Sequence, residues 1–118
     1  MGNEYTILRT VNNFRNQNGR DSVNSWDYTV EGHCLQHSLA MSRDRNVYHA
    51  IPEYLEGWSE CVAMSMVDTG NIDDILGDMI FNVLGKSEEH RNILLNANIV
   101  AGAIILNNWV AYLTLRCK

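Results

Sequence analysis

Histidine and glutamate residues outside the regular apolar pattern are the side chains of this sequence most able to do chemistry. His90 stands in the stretch SEEHRNILL, residues 87 to 95, between a charged turn and an apolar run. The apolar run is expected to be buried, so the ring of His90 lies either at a pocket wall or beside a plain helix start. His49 lies in the irregular stretch VYHAIP, and Glu60 begins an apolar strand pattern. A glutamate in that position is costly to bury unless it is paired or hydrogen-bonded.

A second pair of histidines, His33 and His37, is four residues apart on a predicted helix. Their rings can share one helix face, as paired metal ligands do. The residues between them are Cys-Leu-Gln, without the glutamate of an HExxH motif. We therefore predict structural roles. The ring of His37 is expected to be buried or half-buried against the first helix, hydrogen-bonded, and outside any metal site.

The cysteines Cys34, Cys61 and Cys117 form no CxxC pair, which excludes a zinc ribbon and a thioredoxin motif. Their odd number leaves at least one thiol free or paired with another chain. Cys61 beside Glu60 allows a nucleophile hypothesis, but no orienting Asn or Asp stands at a known spacing, so this hypothesis is the weaker one.

Apolar periodicity predicts the elements that must hold these residues. The stretch YTILRTVNNFRNQNG, which ends at Gly19, has helical spacing, and Asp27 is expected to cap a second helix that runs to about Arg45. Pro52 rules out a continuous helix in the next segment, and WSECVAMSM predicts a strand. The second helix is expected to bury a broad apolar face: Val30, Cys34, Leu35, Leu39 and Met41.

The second half of the chain predicts two more helices and a hairpin. Asn71, with Asp74 three residues on, is expected to cap a third helix that continues to Leu84. Ser87 is expected to cap a short fourth helix, whose positive end suits the two glutamates that follow. The stretch NIVAGAIILNNWVAYLTLR predicts a β-hairpin that turns at Asn107-Asn108. This order fits an α+β fold with helices packed on a small, mostly antiparallel sheet.

The composition bounds the class of protein. With 118 residues, 46% hydrophobic and 19% charged, residues 1–118 are expected to form a single domain with a real core. A net charge of −5 with scattered basic residues argues against a nucleic-acid partner. The apolar runs are far shorter than the roughly 18 residues of a membrane helix, so a soluble domain without a membrane span is expected.

Six motifs, in order, resemble the CAP domain (the cysteine-rich secretory, antigen 5 and pathogenesis-related 1 group) in its bacterial SCP-like form. The segment 11–41 is similar to the family opening VNxxR, glycine, tryptophan and A-x-x-H-S-x-x-M. Tyr48-His49 is similar to a loop of the type F-S-H, and SECVA at 59–63 to the family's G-E-N-I-A. SEEHRNIL is similar to the end of W-x-x-S-P-G-H-R-x-x-I-L, with Leu84 in place of the tryptophan. The resemblance covers roughly residues 5 to 116.

This resemblance implies a three-layer α-β-α sandwich whose central cleft holds two histidines and two acidic residues. In some members of the family these residues bind a divalent metal such as zinc. Carried over residue by residue, the metal ligands are His49, Glu60 and His90. Two imidazoles and a carboxylate suit zinc better than calcium or magnesium. The second acidic residue has no clear counterpart, and the sequence selects none of three possible substitutes: Asp78, Glu88 and Glu89.

The function implied by the resemblance is that of a secreted domain, extracellular or on the cell surface. Its cleft is expected to bind a small ligand, lipid or peptide, or a divalent metal, with no established reaction. The alternative is a zinc-dependent hydrolase, in which zinc on His49 and His90 polarises a water and Glu60 is a ligand or general base. The sequence has neither a nucleophile elbow nor an HExxH motif, which favours the binding module.

Overall fold

The computed structural model describes residues 3–118, and its elements follow the order predicted from the apolar pattern. The helices are α1 (Glu4–Gln17), α2 (Tyr28–Asp44), α3 (Ile72–Gly77) and α4 (Glu88–Asn96). The strands are β1 (Ser25–Trp26), β2 (Ser59–Met66), β3 (Ile99–Asn107) and β4 (Val110–Cys117). Two 3₁₀ turns, Pro52–Tyr54 and Leu84–Lys86, and a π-helical turn, Asp78–Val83, complete the described elements.

The four strands form one mixed sheet in the order β1-β3-β4-β2. β3 and β4 are the predicted hairpin, β2 pairs antiparallel with β4, and the short β1 runs parallel to β3. The sheet is therefore mostly antiparallel, as predicted. β2 and β4 pair along their whole lengths, which places Glu60 opposite Arg116.

Helices cover both faces of this sheet. α2 packs on one face, where Cys34 lies against Ala101 and Ala103 of β3. The main core lies on the other face, between the sheet and α1, α3 and α4, and its fully buried members include Val11, Leu76 and Leu115. The predicted three-layer α-β-α sandwich is confirmed. None of the helices within residues 3–118 has the length and apolar character needed to cross a membrane.

The second helix begins and ends where the sequence predicts, but its buried face is narrower than predicted. The Asp27 carboxylate accepts a hydrogen bond from Val30 N at 2.9 Å, so it caps the helix. Leu35 and Leu39, predicted in the apolar face, are 42% and 39% exposed. The helix instead packs through the stripe of Cys34, Ser38 and Met41, and the Ser38 hydroxyl bonds to Ala103 O and Thr114 Oγ1 of the sheet.

Three local predictions need correction. The third helix is regular only to Gly77 and continues as a π-helical turn. Ser87 holds the N-cap position of α4, but its side chain makes no capping bond. The hairpin turns at Asn108 and Trp109, one residue later than predicted. Both residues have positive φ, 52° and 62°, as a two-residue type I′ turn requires.

Candidate functional site

Glu60 is the second residue of β2, and its carboxylate is buried inside the sandwich. Its neighbour Cys61 belongs to the main core, as does Leu115 beside Arg116. Because side chains alternate along a strand, Glu60 and Arg116 both lie on the face that carries α2. The side chain of Glu60 is 1% exposed and that of Arg116 is 5% exposed. An ion pair this deeply buried needs close geometry to offset its desolvation.

The carboxylate of Glu60 is held by three residues of the protein. Its Oε2 accepts from Arg116 Nε at 3.0 Å and lies 3.0 Å from Arg116 Nη2. Its Oε1 accepts from Ala50 N at 2.9 Å and lies 3.0 Å from His49 Nδ1. A carboxylate offers about four lone-pair sites, and this one accepts three hydrogen bonds and has the contact with Nη2 beside them. A metal ion would have to compete with these partners for Glu60.

The contact with Glu60 fixes the orientation of the His49 ring. An ionised carboxylate can only accept a hydrogen bond, so His49 Nδ1 must carry the proton in this pair. The lone pair of the neutral ring then lies on Nε2. The side chain is 56% exposed, which leaves this nitrogen available to a ligand. A carboxylate that orients an imidazole in this way is common around histidines that bind metals or move protons.

The structure brings together two of the three predicted metal ligands. His49 and Glu60 are in contact, whereas His90 is half-buried as the third residue of α4, on the other side of the sheet from α2. Within residues 3–118, no three His, Cys, Asp or Glu side chains are grouped to hold a metal ion. The Glu60 carboxylate accepts three hydrogen bonds, with which a metal ion would have to compete. The three-ligand set and zinc binding stay predictions.

His37 has a structural partner, as predicted, although a different one. Its ring is half-buried and lies 2.7 Å from Tyr48 O through Nε2, with an edge-on contact to the Tyr48 ring. A carbonyl can only accept, so Nε2 carries the proton and Nδ1 is the acceptor of the neutral ring. The partner is the loop after α2, not the first helix.

A cavity of about 470 Å³ lies between α2 and the loop 50–56, and two partners of the Glu60 carboxylate, Ala50 and Arg116, line it. One helix face of α2 forms a wall, the loop forms the opposite wall, and β4 contributes Arg116. Arg116 is a candidate site residue that the sequence did not single out. Its signal was a single charge in the otherwise apolar strand VAYLTLRC, matching the single charge of Glu60 in SECVAMSM. The polar and aromatic side chains that line the cavity include His33, His37, Glu53, Tyr54, Glu56 and Arg116.

The three cysteines are buried free thiols. Burial raises the pKa of Cys34 and of Cys117 to about 12, with Arg116 lowering the first and Arg15 the second by smaller amounts. Burial also raises the pKa of the Cys61 thiol above its ordinary range. A nucleophilic cysteine needs its thiolate, so the nucleophile hypothesis for Cys61 has no support in this environment.

Comparison with known proteins identifies the fold. No family model matches the chain, and no curated protein matches its sequence. An outer surface protein from Borrelia burgdorferi superposes with a TM-score of 0.70 at 12% identity, over 100% of this chain and 96% of that chain. The hookworm protein NaASP2, in a crystal structure with Zn²⁺, gives 0.65 at 11% identity over 96% and 77%. Hookworm Na-ASP-1 gives 0.67 at 12% identity over 94% and 37%. The chain has a CAP/SCP-like fold.

Proposed function

We propose that this chain is an extracellular CAP/SCP-like binding protein that takes a small ligand at the Glu60 site. We define the Glu60 site as His49, Glu60, Arg116 and the adjoining cavity. The observation that carries the proposal is the buried carboxylate of Glu60, which holds a guanidinium on one oxygen and orients a half-exposed imidazole with the other. Buried ion pairs are often replaceable by apolar residues without loss of stability. A buried ion pair whose arginine lines a cavity is a candidate ligand site.

The extracellular part of the proposal is supported by the fold neighbours. One of them is named an outer surface protein, and this chain covers almost all of its length. The cavity and the exposed His49 ring give an extracellular ligand a place to bind.

The zinc hydrolase alternative is not favoured by the geometry. As a metal ligand or general base, Glu60 would need a free lone pair, and its oxygens already accept from three residues. The ring of His49 remains able to bind an ion through Nε2, with Glu60 as the group that orients it. A metal ion is therefore one of the ligands to be tried, without a reaction attached to it.

The proposal is tested by NMR titration of the ¹⁵N-labelled chain with a small-molecule fragment library. We expect the amide shifts to concentrate at His49, Ala50 and Arg116. A larger, more polar cavity of about 660 Å³ beside the loop 19–25 serves as the internal control. Fragments that shift only the loop 19–25, or nothing at all, would contradict the proposal. His49→Ala should weaken the fragments that contact the imidazole and leave the thermal midpoint nearly unchanged, because the ring is 56% exposed.

A further inference from the structure

We infer that the cavity of the Glu60 site binds the zwitterion of an α-amino acid or short peptide. In this arrangement the ligand's carboxylate bonds to Arg116, and its ammonium group lies near Glu53 and Glu56. The inference rests on the proposed function, because it names the ligand class of the same site. Three observations support it. Arg116 has hydrogen-bond donors that no residue within 3–118 uses, the charges lining the cavity change from positive at its buried end to negative at its open end, and the tautomer of His37 provides an acceptor.

Arg116 provides the donors at the buried end of the cavity. Its Nε and Nη2 face Glu60 Oε2, and no residue within 3–118 accepts a hydrogen bond from Nη1. In the same range no fully buried side-chain nitrogen or oxygen lacks a partner, so Nη1 must be open to the cavity that Arg116 lines. Nη1 and the second hydrogen of Nη2 form the other edge of the guanidinium. A planar carboxylate fits this edge with two parallel hydrogen bonds.

The charges of the cavity change sign from its floor to its mouth. Arg116 is 4% exposed, whereas Glu53 and Glu56 are exposed acidic residues on the loop that forms the outer wall. Tyr54 stands between them with 69% of its surface exposed, and its ring face can attract an ammonium group. An anion alone would bond to Arg116 but would enter past two carboxylates of like charge at the mouth. A zwitterion brings an ammonium group to those carboxylates and so matches both ends.

The cavity also suits the middle of such a ligand. His37 lines it, and because Nε2–H donates to Tyr48 O, its Nδ1 is a hydrogen-bond acceptor. That acceptor matches an amine or a peptide N–H. The volume of about 470 Å³ lies within the range of about 300–1,000 Å³ that small-molecule sites occupy. A free amino acid and a short peptide share this chemistry, and the experiment separates them.

The test uses chemically matched probes on the whole chain: glycyl-tyrosine, its C-terminal amide, its N-acetyl form, free tyrosine and decanoate. Binding is followed by NMR shifts and calorimetry up to about 10 mM, the weak end of measurable affinity. We expect the amide to bind about 10- to 100-fold more weakly than the free dipeptide, because it loses charged hydrogen bonds to Arg116. The N-acetyl form should bind about 2- to 5-fold more weakly than the free dipeptide. It loses the ammonium group, whose partners Glu53 and Glu56 are exposed, and exposed ion pairs contribute little. If the dipeptide binds more tightly than free tyrosine, the ligand class is a short peptide. If free tyrosine binds more tightly, the class is a free amino acid.

Variants of the mouth test the orientation without disturbing the ion pair. In the double variant Glu53→Gln, Glu56→Gln, the free dipeptide should lose its advantage over the N-acetyl form. Asp68→Asn removes an exposed carboxylate that lies outside this cavity, and it should preserve the advantage. Equal binding of the dipeptide and its amide would overturn the inference. So would decanoate binding without dipeptide binding, although the proposed function would stand. If no probe and no fragment shifts the Glu60 site, both fall.

Discussion

Glu60 determines the positions of its neighbours because it is their common hydrogen-bond acceptor. The Glu60 carboxylate connects β2 to β4 through Arg116, and it connects β2 to the loop after α2 through Ala50 N and His49. Removing its charge would leave the guanidinium of Arg116 buried without a counter-ion. The sequence predicted that Glu60 needs a partner, but the partner is 56 residues away in the chain, and only the sheet register identifies it.

We expect Glu60→Gln to lower the free energy of unfolding by about 3–5 kcal/mol, the cost of breaking one side of a buried ion pair. Urea denaturation measures this change. The control is Arg9→Gln, which breaks the ion pair with Asp73, whose partners are 41% and 58% exposed. That variant should change stability by no more than about 1 kcal/mol. Equally small effects of the two substitutions would contradict the buried pair.

The buried thiols predict loss of stability at alkaline pH. Burial raises the pKa of Cys34 and Cys117 from 9.0 to about 12. Between these values the unfolded chain releases thiol protons that the folded chain keeps. Their contribution is therefore complete below about pH 9 and is lost as pH rises towards 12. Urea midpoints measured across this window should fall, and the fall should be shallower in Cys34→Ala.

Reactivity gives an independent check on the same thiols. At about pH 8 a thiol reagent should leave the native chain unlabelled, because labelling requires an accessible thiolate. After denaturation it should label all three cysteines. Rapid labelling of any one of them in the native chain would show that its burial is wrong.

At the scale of elements, two residues of the VNxxR motif in α1 form hydrogen bonds to the loop that leads to β1. The Asn12 side chain donates to Val23 O and accepts from Val23 N, at 2.9 and 2.7 Å. Arg15 is 7% exposed and donates to Asp21 O and to Leu94 O, at 2.9 and 2.6 Å. Burial lowers the pKa of its guanidinium. These contacts give a physical role to the VNxxR motif, which joins α1 to the end of α4.

We expect Arg15→Ala to lower stability by about 2–4 kcal/mol, because two carbonyls lose their charged donor. The loss should be seen in urea denaturation, together with faster amide exchange in the loop 18–24. Asn13→Ala is the matched control, since Asn13 is an exposed residue of the same helix. Equal amide exchange rates of the loop 18–24 in the two variants would show that Arg15 does not stabilise this loop.

Two glycines predict opposite effects of the same substitution. A β-carbon on Gly102 of β3 would lie 2.5 Å from Leu115 Cδ2 and 3.0 Å from Thr114 O, whereas one on Gly32 of α2 meets nothing within 4 Å. We expect Gly102→Ala to destabilise the chain by about 1–3 kcal/mol through overpacking. Gly32→Ala should stabilise it by about 0.5–1 kcal/mol, as expected for a helix interior. Thermal unfolding measures both, and stabilisation by Gly102→Ala would contradict the packing of β3.

The sequence could predict the features of the fold that depend on neighbouring residues in the chain. Asp27 caps α2, the strand WSECVAMSM forms, and the hairpin lies within one residue of its predicted turn. It could not decide how wide the buried face of α2 is, because the apolar residues Leu35 and Leu39 lie outside the packed stripe. Nor could it pair Glu60 with Arg116, since that contact depends on which strands become neighbours.

At the scale of the molecule, the sandwich places His49 and His90 on elements of different layers. His49 follows α2, and His90 belongs to α4 across the sheet. We expect zinc binding much weaker than the roughly 10–16 kcal/mol of a structural zinc site, because the Glu60 carboxylate already accepts three hydrogen bonds. Calorimetric titration of the parent, His49→Ala and His90→Ala measures this. Tight binding that both histidines support would restore the three-ligand hypothesis.

The central claim is that Glu60 holds His49 with its Nε2 exposed, and imidazole ¹⁵N NMR tests it most directly. At mildly alkaline pH, long-range ¹H–¹⁵N spectra report which ring nitrogen carries the proton. The structure predicts opposite tautomers for two histidines in one spectrum: Nδ1–H for His49, bonded to Glu60, and Nε2–H for His37, bonded to Tyr48 O. The exposed His33 serves as the reference ring. A proton on Nε2 of His49 would contradict the account, because Nδ1 would then have no hydrogen to give to Glu60.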